Sequence, residues 1–190
     1  MMNRLNFYCF LLIILISIAC SKDDDVVPRN TANTYEINFN SGEYAGVSFK
    51  GEAIEVFTYF SKTPEGDRII SNIGSNDNLD RIYFGLNILA ESISSEGDFN
   101  GVFSYQNLSN TDYPKILVIY ISGAPKDTFI SRNVSFTIRG LETTDDGLTR
   151  NNAAYEIEFA GTFMNDLDQI VQVDGIVNFY PFDEVSTSSN

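Results

Sequence analysis

Histidine and tryptophan are absent from this 190-residue chain, and its two cysteines, Cys9 and Cys20, both fall within the first twenty positions. Each absence removes a class of chemistry. Without histidine there is no Ser-His-Asp or Cys-His catalysis, and zinc sites built on His or Cys have no ligands after residue 20. No pair of cysteines remains there for a disulfide, so whatever folds is held by its core alone. Basic residues are also few: 12 Lys and Arg stand against 26 Asp and Glu, a formal charge of −14. A surface that tracks phosphates needs a stripe of Lys and Arg, and none is present. Nucleic acid is therefore not expected as a partner, nor is close electrostatic docking on anionic lipid. Carboxylate chemistry and non-catalytic binding survive.

The beginning of the chain is organised differently from the rest. Arg4 is its one charge before residue 20, and Phe7 to Ala19 is nearly all apolar, broken by Ser17. This run is shorter than the roughly 17–25 residues an α-helix needs to span a bilayer. A charged start, a short apolar core and a small residue before the cut form the layout of a secretory signal peptide. Ser17-Ile18-Ala19-Cys20 resembles a bacterial lipobox, in which a small residue precedes a cysteine that becomes lipidated. The next five residues, Ser21, Lys22, Asp23, Asp24 and Asp25, resemble the export signal that sends lipoproteins of the Bacteroidota to the outer face of the outer membrane. The plain alternative for these aspartates is a solvated acidic run. The resemblance implies cleavage after Ala19, lipid attachment at Cys20 and a protein facing the extracellular side. Acyl chains contribute about 0.8 kcal/mol per buried methylene, and two or more make anchoring stable.

The expected organisation is a signal peptide at 1–19, a lipidated and acidic linker at 20–33, an all-β domain at 34–182 and a polar tail at 183–190. From Tyr35 onward apolar residues recur with period two between clusters of Gly, Asn, Asp, Ser and Pro. Ile82, Phe84, Leu86 and Ile88 form one such series; Val134, Phe136 and Ile138 another. Tyr155, Ile157, Phe159 and Phe163 form a third, and Val171, Val173, Val177 and Phe179 a fourth. These patterns predict half-buried antiparallel strands with one wet face. Ile116 to Ile121 is apolar on both faces and is expected to be central or covered on both sides. About ten strands at this spacing predict a single antiparallel β-sandwich or closed barrel. No amphipathic helix is expected. Glycines inside strands, at Gly85, Gly101, Gly161 and Gly175, point to bends, bulges or close packing. The Phe-rich domain ending in Gly161-Thr162-Phe163 and Gly175-Ile176-Val177-Asn178-Phe179 resembles β-rich surface lipoproteins of the Bacteroidota, and that resemblance implies no activity.

Three groups of residues invite a functional reading. Glu156 and Glu158 share a strand face about 6.6 Å apart at 3.3 Å per residue, near the carboxyl separations of glycosidases. They alternate with the apolar face, however, and are expected to point to water. Aspartates in 75–80, 143–147 and 165–168 could supply hard oxygen ligands, although Asp, Asn and Gly are also ordinary turn residues. If successive strands run antiparallel, Asp77, Asp80, Asp112, Asp145 and Asp146 line one acidic end able to bind calcium or a polar ligand. Asp166 and Asp168 then fall at the other end. No other metal or cofactor is implied.

Fifteen phenylalanines and ten tyrosines form the third group. Phe84, Phe103, Phe136, Phe159, Phe163 and Phe179 fall on inward positions and should fill the core. Tyr59, Tyr83, Tyr120 and Tyr180 remain as candidates for an exposed row. The leading expectation is a surface module that binds a small molecule, glycan or peptide without catalysis. A structural or adhesion subunit of a surface complex comes second, and a carboxylate hydrolase third. A concave pocket with convergent polar groups favours the first; a flat apolar patch or an unprotected edge strand favours the second.

Overall fold

A computed structural model of the chain describes residues 32–75, 82–94, 97–104, 116–122, 126–144 and 151–180. The chain divides into two units, Met1–Asn30 and Thr31–Asn190, and all described residues belong to the second. These residues contain ten strands and no helix: β1 (Thr34–Phe39), β2 (Ser48–Glu52), β3 (Glu55–Thr63), β4 (Gly66–Gly74), β5 (Ile82–Ala90), β6 (Phe99–Ser104), β7 (Ile116–Ile121), β8 (Asp127–Thr144), β9 (Asn151–Asn165) and β10 (Ile170–Phe179). Every pairing is antiparallel, in the order β2-β1-β10-β9-β3-β4-β5-β7-β8-β6, with β8 and β9 also paired to each other. The expected all-β class is the observed one.

The extra β8–β9 pairing decides the architecture. Following hydrogen bonds from β9 through β3, β4, β5, β7 and β8 returns to β9, a closed ring of six strands. Two stretches of the sheet face each other across the interior of the ring. One, the four-stranded layer, holds β3, β4, β5 and β7; the other, the six-stranded layer, holds β6, β8, β9, β10, β1 and β2. Phe84 on β5 meets Phe159 on β9 at 5.3 Å and Phe179 on β10 at 6.1 Å between ring centroids, although these strands share no ladder. Those rings therefore pack, tilted against one another, across the interior. The sandwich or barrel expected from the sequence is observed as one antiparallel sheet, six strands of which close on themselves.

The stitching strands are long because each serves both layers. Asn151 and Asn152 at the start of β9 pair with β3, while Tyr155 to Met164 pair with β10. Val118 to Ile121 of β7 pair with the start of β8, and β6 pairs with β8 from Asn133 to Ile138. Register shifts between Ser131 and Asn133, and between Arg139 and Glu142, bend β8. The burial pattern records both. Phe129 and Ser131 point inward, then Val134, Phe136 and Ile138, then Leu141, so the inward parity changes at each bulge. Gly161 pairs with Val134 beside the first bulge, and a Cβ on it would stand 2.2 Å from the Asn133 carbonyl oxygen. Only a bare backbone allows that approach.

The interior is filled by side chains. The six phenylalanines expected inside are all buried, as are the four apolar series on β5, β8, β9 and β10. β7 lies between β5 and β8 as expected, with Leu117, Ile119 and Ile121 buried and the alternate residues half-covered. Among the described residues no buried side-chain nitrogen or oxygen lacks a hydrogen-bond partner.

Candidate functional site

Because both inner faces are consumed by the core, ligand-facing groups are sought on the two outer faces. Each strand displays alternate residues outward, and the registers assemble these into cross-strand rows. On the six-stranded layer one row runs Asn100, Thr137, Glu158, Ile176, Glu36 and Lys50; the next runs Val102, Ser135, Ala160, Asp174, Asn38 and Ser48. Two shallow depressions of about 370 and 290 Å³ flank Glu158 and Ala160. The side chains around them bond chiefly to one another. Thr137 Oγ1 donates to Asn100 Oδ1 at 2.6 Å, Asn38 Nδ2 donates to Asp174 Oδ2 at 3.0 Å, and Asn40 Nδ2 donates to Asp174 Oδ1.

Arg139 dominates the electrostatics of this face. Its guanidinium lies 2.7 Å from Glu158 Oε2, 3.2 Å from Glu156 Oε1 and 3.6 Å from Asp98 Oδ2. Hydrogen bonds to Glu158 and then Glu156 hold its pKa above the ordinary value. The two glutamates do face outward as expected, but a shared arginine bridges them. The register Arg139–Glu156 across β8 and β9 makes that contact, and no pattern within either strand announces it. The outward acids on this layer include Glu36, Glu52, Asp98, Glu142, Glu156, Glu158 and Asp174, and its outward bases include Lys50 and Arg139.

The outer face of the four-stranded layer is built of other residue types. One row runs Phe57, Asn72, Gly85, Val118 and Ile130; beside it runs Tyr59, Ile70, Asn87 and Ile116; a third holds Glu55, Gly74, Tyr83, Tyr120 and Thr128. Phe57 is 51% exposed, and its ring meets Tyr59 edge-on at 5.4 Å. Tyr83 and Tyr120 are direct cross-strand partners with centroids 6.0 Å apart. The two aromatic pairs lie two strands and two residues apart, a span of about 12 Å from sheet geometry.

Amides and bare backbone lie between the aromatic pairs. A Cβ on Gly74 would stand 2.9 Å from Tyr83 Cε1, so the Tyr83 ring lies over Gly74. Gly85 is covered in the same way by the Asn72 amide, whose Oδ1 lies 2.7 Å from its would-be Cβ. Arg68 Nε donates to Asn87 Oδ1 at 3.1 Å and orients that amide. Among the described residues of β3, β4, β5 and β7, the outward ionic side chains are Glu55 and Arg68.

Of the residues singled out in the sequence, Tyr59, Tyr83 and Tyr120 come together on this face. Tyr180 does not: it follows β10, where its backbone exchanges hydrogen bonds with the Asn33 side chain. The hairpin after β9 is a turn in the ordinary sense. Asn165 Oδ1 accepts from Leu167 N at 3.1 Å and Gln169 N at 2.9 Å, and Asp168 takes φ 60°. Asp77, Asp80, Asp112, Asp145 and Asp146 lie outside the described residues, as do Cys20, Ser21, Lys22, Asp23, Asp24 and Asp25. Among the described residues no group of three or more acidic side chains is placed to hold a metal ion. Phe57, Arg68, Asn72 and Asn87 are the residues that sequence reasoning passed over. The available signal was Phe57-Thr58-Tyr59-Phe60, where aromatic residues occupy both faces of one short strand. Comparison with family models, curated proteins and solved structures finds no match to this chain.

Proposed function

We propose that this chain is a lipid-anchored protein of the outer-membrane surface whose β domain is a non-catalytic binding module for a glycan. In this reading Cys20 carries the lipid, and Ser21, Lys22, Asp23, Asp24 and Asp25 direct export to the extracellular side. The observation that carries the binding assignment is the outer face of the four-stranded layer, where Phe57–Tyr59 and Tyr83–Tyr120 flank the amides of Asn72 and Asn87. A pyranose presents apolar C–H faces and a rim of hydroxyls, which suit aromatic rings and amides respectively. The separation of about 12 Å between the aromatic pairs fits a short oligosaccharide better than a single ring. The polar face opposite is a weaker candidate, because its side chains are largely engaged with one another.

Tyrosine is the only strong intrinsic fluorophore, since tryptophan is absent. Titration of the protein with a panel of neutral oligosaccharides, followed by tyrosine emission and by calorimetry, tests the assignment. Binding that is lost in Tyr83→Ala and Phe57→Ala but kept in Arg139→Ala supports it. No response to any sugar, or a response indifferent to Tyr83 and Phe57, removes it. A second reading, an accessory subunit of a surface assembly, is favoured by one separate feature, the edge strand β6.

A further inference from the structure

The ten strands end in two edges, β2 and β6. Sheet edges invite pairing with another chain, and proteins that stay apart blunt them with charges, proline or very short strands. β2 is blunted: it has five residues and carries Lys50 and Glu52, both exposed. β6, Phe-Asn-Gly-Val-Phe-Ser, carries no charge and no proline. Alternate residues of an antiparallel strand turn their N–H and C=O groups to opposite sides, so half of the β6 backbone groups face away from β8. Among the described residues no strand pairs with that side. Val102 stands next to it at 48% exposure.

We propose that β6 pairs antiparallel with β6 of a second copy of this chain, across a two-fold axis at Gly101, doubling the six-stranded layer into one continuous sheet. Inner and outer faces are preserved only if residues of like parity stand opposite, and the register centred on Gly101 satisfies this. It sets Gly101 against Gly101 and, on the outer face, Asn100 against Val102. On the inner face it sets Phe99 against Phe103, an aromatic cross-strand pair. The strand is thus its own complement, as an isologous interface requires, and the closed dimer leaves no β6 edge to propagate.

Electrostatics selects the same place. A chain of formal charge −14 repels its copy across most of its surface. In this register the nearest flanking acid, Asp98, lies about 20 Å from its symmetry mate, well beyond the ~8 Å screening length at physiological salt. At low ionic strength the screening length grows to about 30 Å and the repulsion reaches across, so the dimer should loosen in low salt and tighten as salt rises.

The test uses the full chain in membranes of the producing cells. Asn100→Cys and Val102→Cys chains are co-expressed and mildly oxidised, with Lys50→Cys as the control on the other edge. The expected product is a disulfide adduct of twice the mass of the membrane-bound chain, formed only when both β6 variants are present. In detergent solution, light scattering should show a dimer that Val102→Lys weakens at least tenfold and that high salt strengthens. Val102 is exposed, so an unchanged thermal melt separates loss of pairing from loss of fold. No adduct from the mixed variants, equal adduct from Lys50→Cys, an adduct of another mass, or a monomer at every salt concentration overturns the proposal.

Discussion

The Tyr155 hydroxyl on β9 donates a hydrogen bond of 2.5 Å to Ser71 Oγ on β4, joining the two layers across 84 residues of sequence. Ser71 donates in turn to Thr58 Oγ1 on β3 at 2.5 Å, and all three side chains are buried. A phenol placed in this core must find a partner, because an unpaired buried hydroxyl costs about 1–3 kcal/mol. Tyr155→Phe removes the donor and leaves Ser71 one partner short. A loss of about 1–2 kcal/mol in urea unfolding is expected, with non-additivity when combined with Ser71→Ala. Additive effects would mean that the bond does not couple the layers.

The same residue sets a limit at high pH. Burial pushes the Tyr155 phenol well above its ordinary value, against smaller opposing contributions from Ser71 and Thr58. The folded state therefore holds this proton where the unfolded chain, with a phenol near 10, has released it. The contribution to stability is complete below that value and is lost as pH rises through and beyond it. Ultraviolet titration of the native protein should show a late tyrosine step that coincides with unfolding, and Tyr155→Phe should remove its contribution to that step.

Gly46 isolates a backbone penalty, to which Gly161 (φ +157°) adds a steric one. Gly46 has φ +82° and nothing within 4 Å of an added Cβ, so Gly46→Ala should cost only the backbone preference, about 1 kcal/mol. At Gly161 the added atom meets the Asn133 carbonyl and Val134 Cα of the bulge. Gly161→Ala should cost more than about 2 kcal/mol and should broaden amide signals on both β8 and β9. Equal costs at the two sites would remove the bulge contact as the reason for glycine.

Arg139 and its three carboxylates are all substantially exposed, so solvent screens them. Arg139→Met should lower stability by no more than about 1 kcal/mol, and the difference should shrink in high salt. A larger, salt-independent loss would indicate that the arginine stem packs against the sheet in a way the ion pairs do not describe.

Glycan binding has a probe that alters no aromatic residue. Gly74→Ala places a methyl group under the Tyr83 ring at 2.9 Å and should lift it from the sheet. An affinity loss of tenfold, about 1.4 kcal/mol, is expected if Tyr83 stacks on the ligand, with Phe57→Ala giving a loss of similar size. Anchoring is checked separately: Cys20→Ala should move the protein from the membrane fraction to the soluble one, and unchanged partitioning would remove the lipid assignment.

Strands that keep one face to the core along their whole length could be read from residues alone. β5 and β10 alternate without interruption, and so does β9 from Tyr155 to Phe163. β8 could be read only in its middle, because its inward parity changes at both bulges and a fixed period of two fails there. Ring closure rests on two short pairings, Tyr59 with Asn152 and Phe60 with Asn151, which leave no mark in either strand. The aromatic face was half legible. Tyr59, Tyr83 and Tyr120 were identifiable as residues left over from the core, but Tyr83 and Tyr120 become neighbours only through the β5–β7 register. Arg139 likewise gains its meaning from β9, not from its own strand.

The placement of β1 and β10 side by side has a consequence for synthesis. β1 spans Thr34–Phe39 and its long-range partner, β10, spans Ile170–Phe179. A chain emerging N-terminus first therefore exposes Tyr35, Ile37 and Phe39 with only β2 to pair until β10 has appeared. Loop-closure entropy at that separation makes the last pairing slow. Any partner able to hold an extended, unpaired β1 has the whole period of chain delivery in which to act.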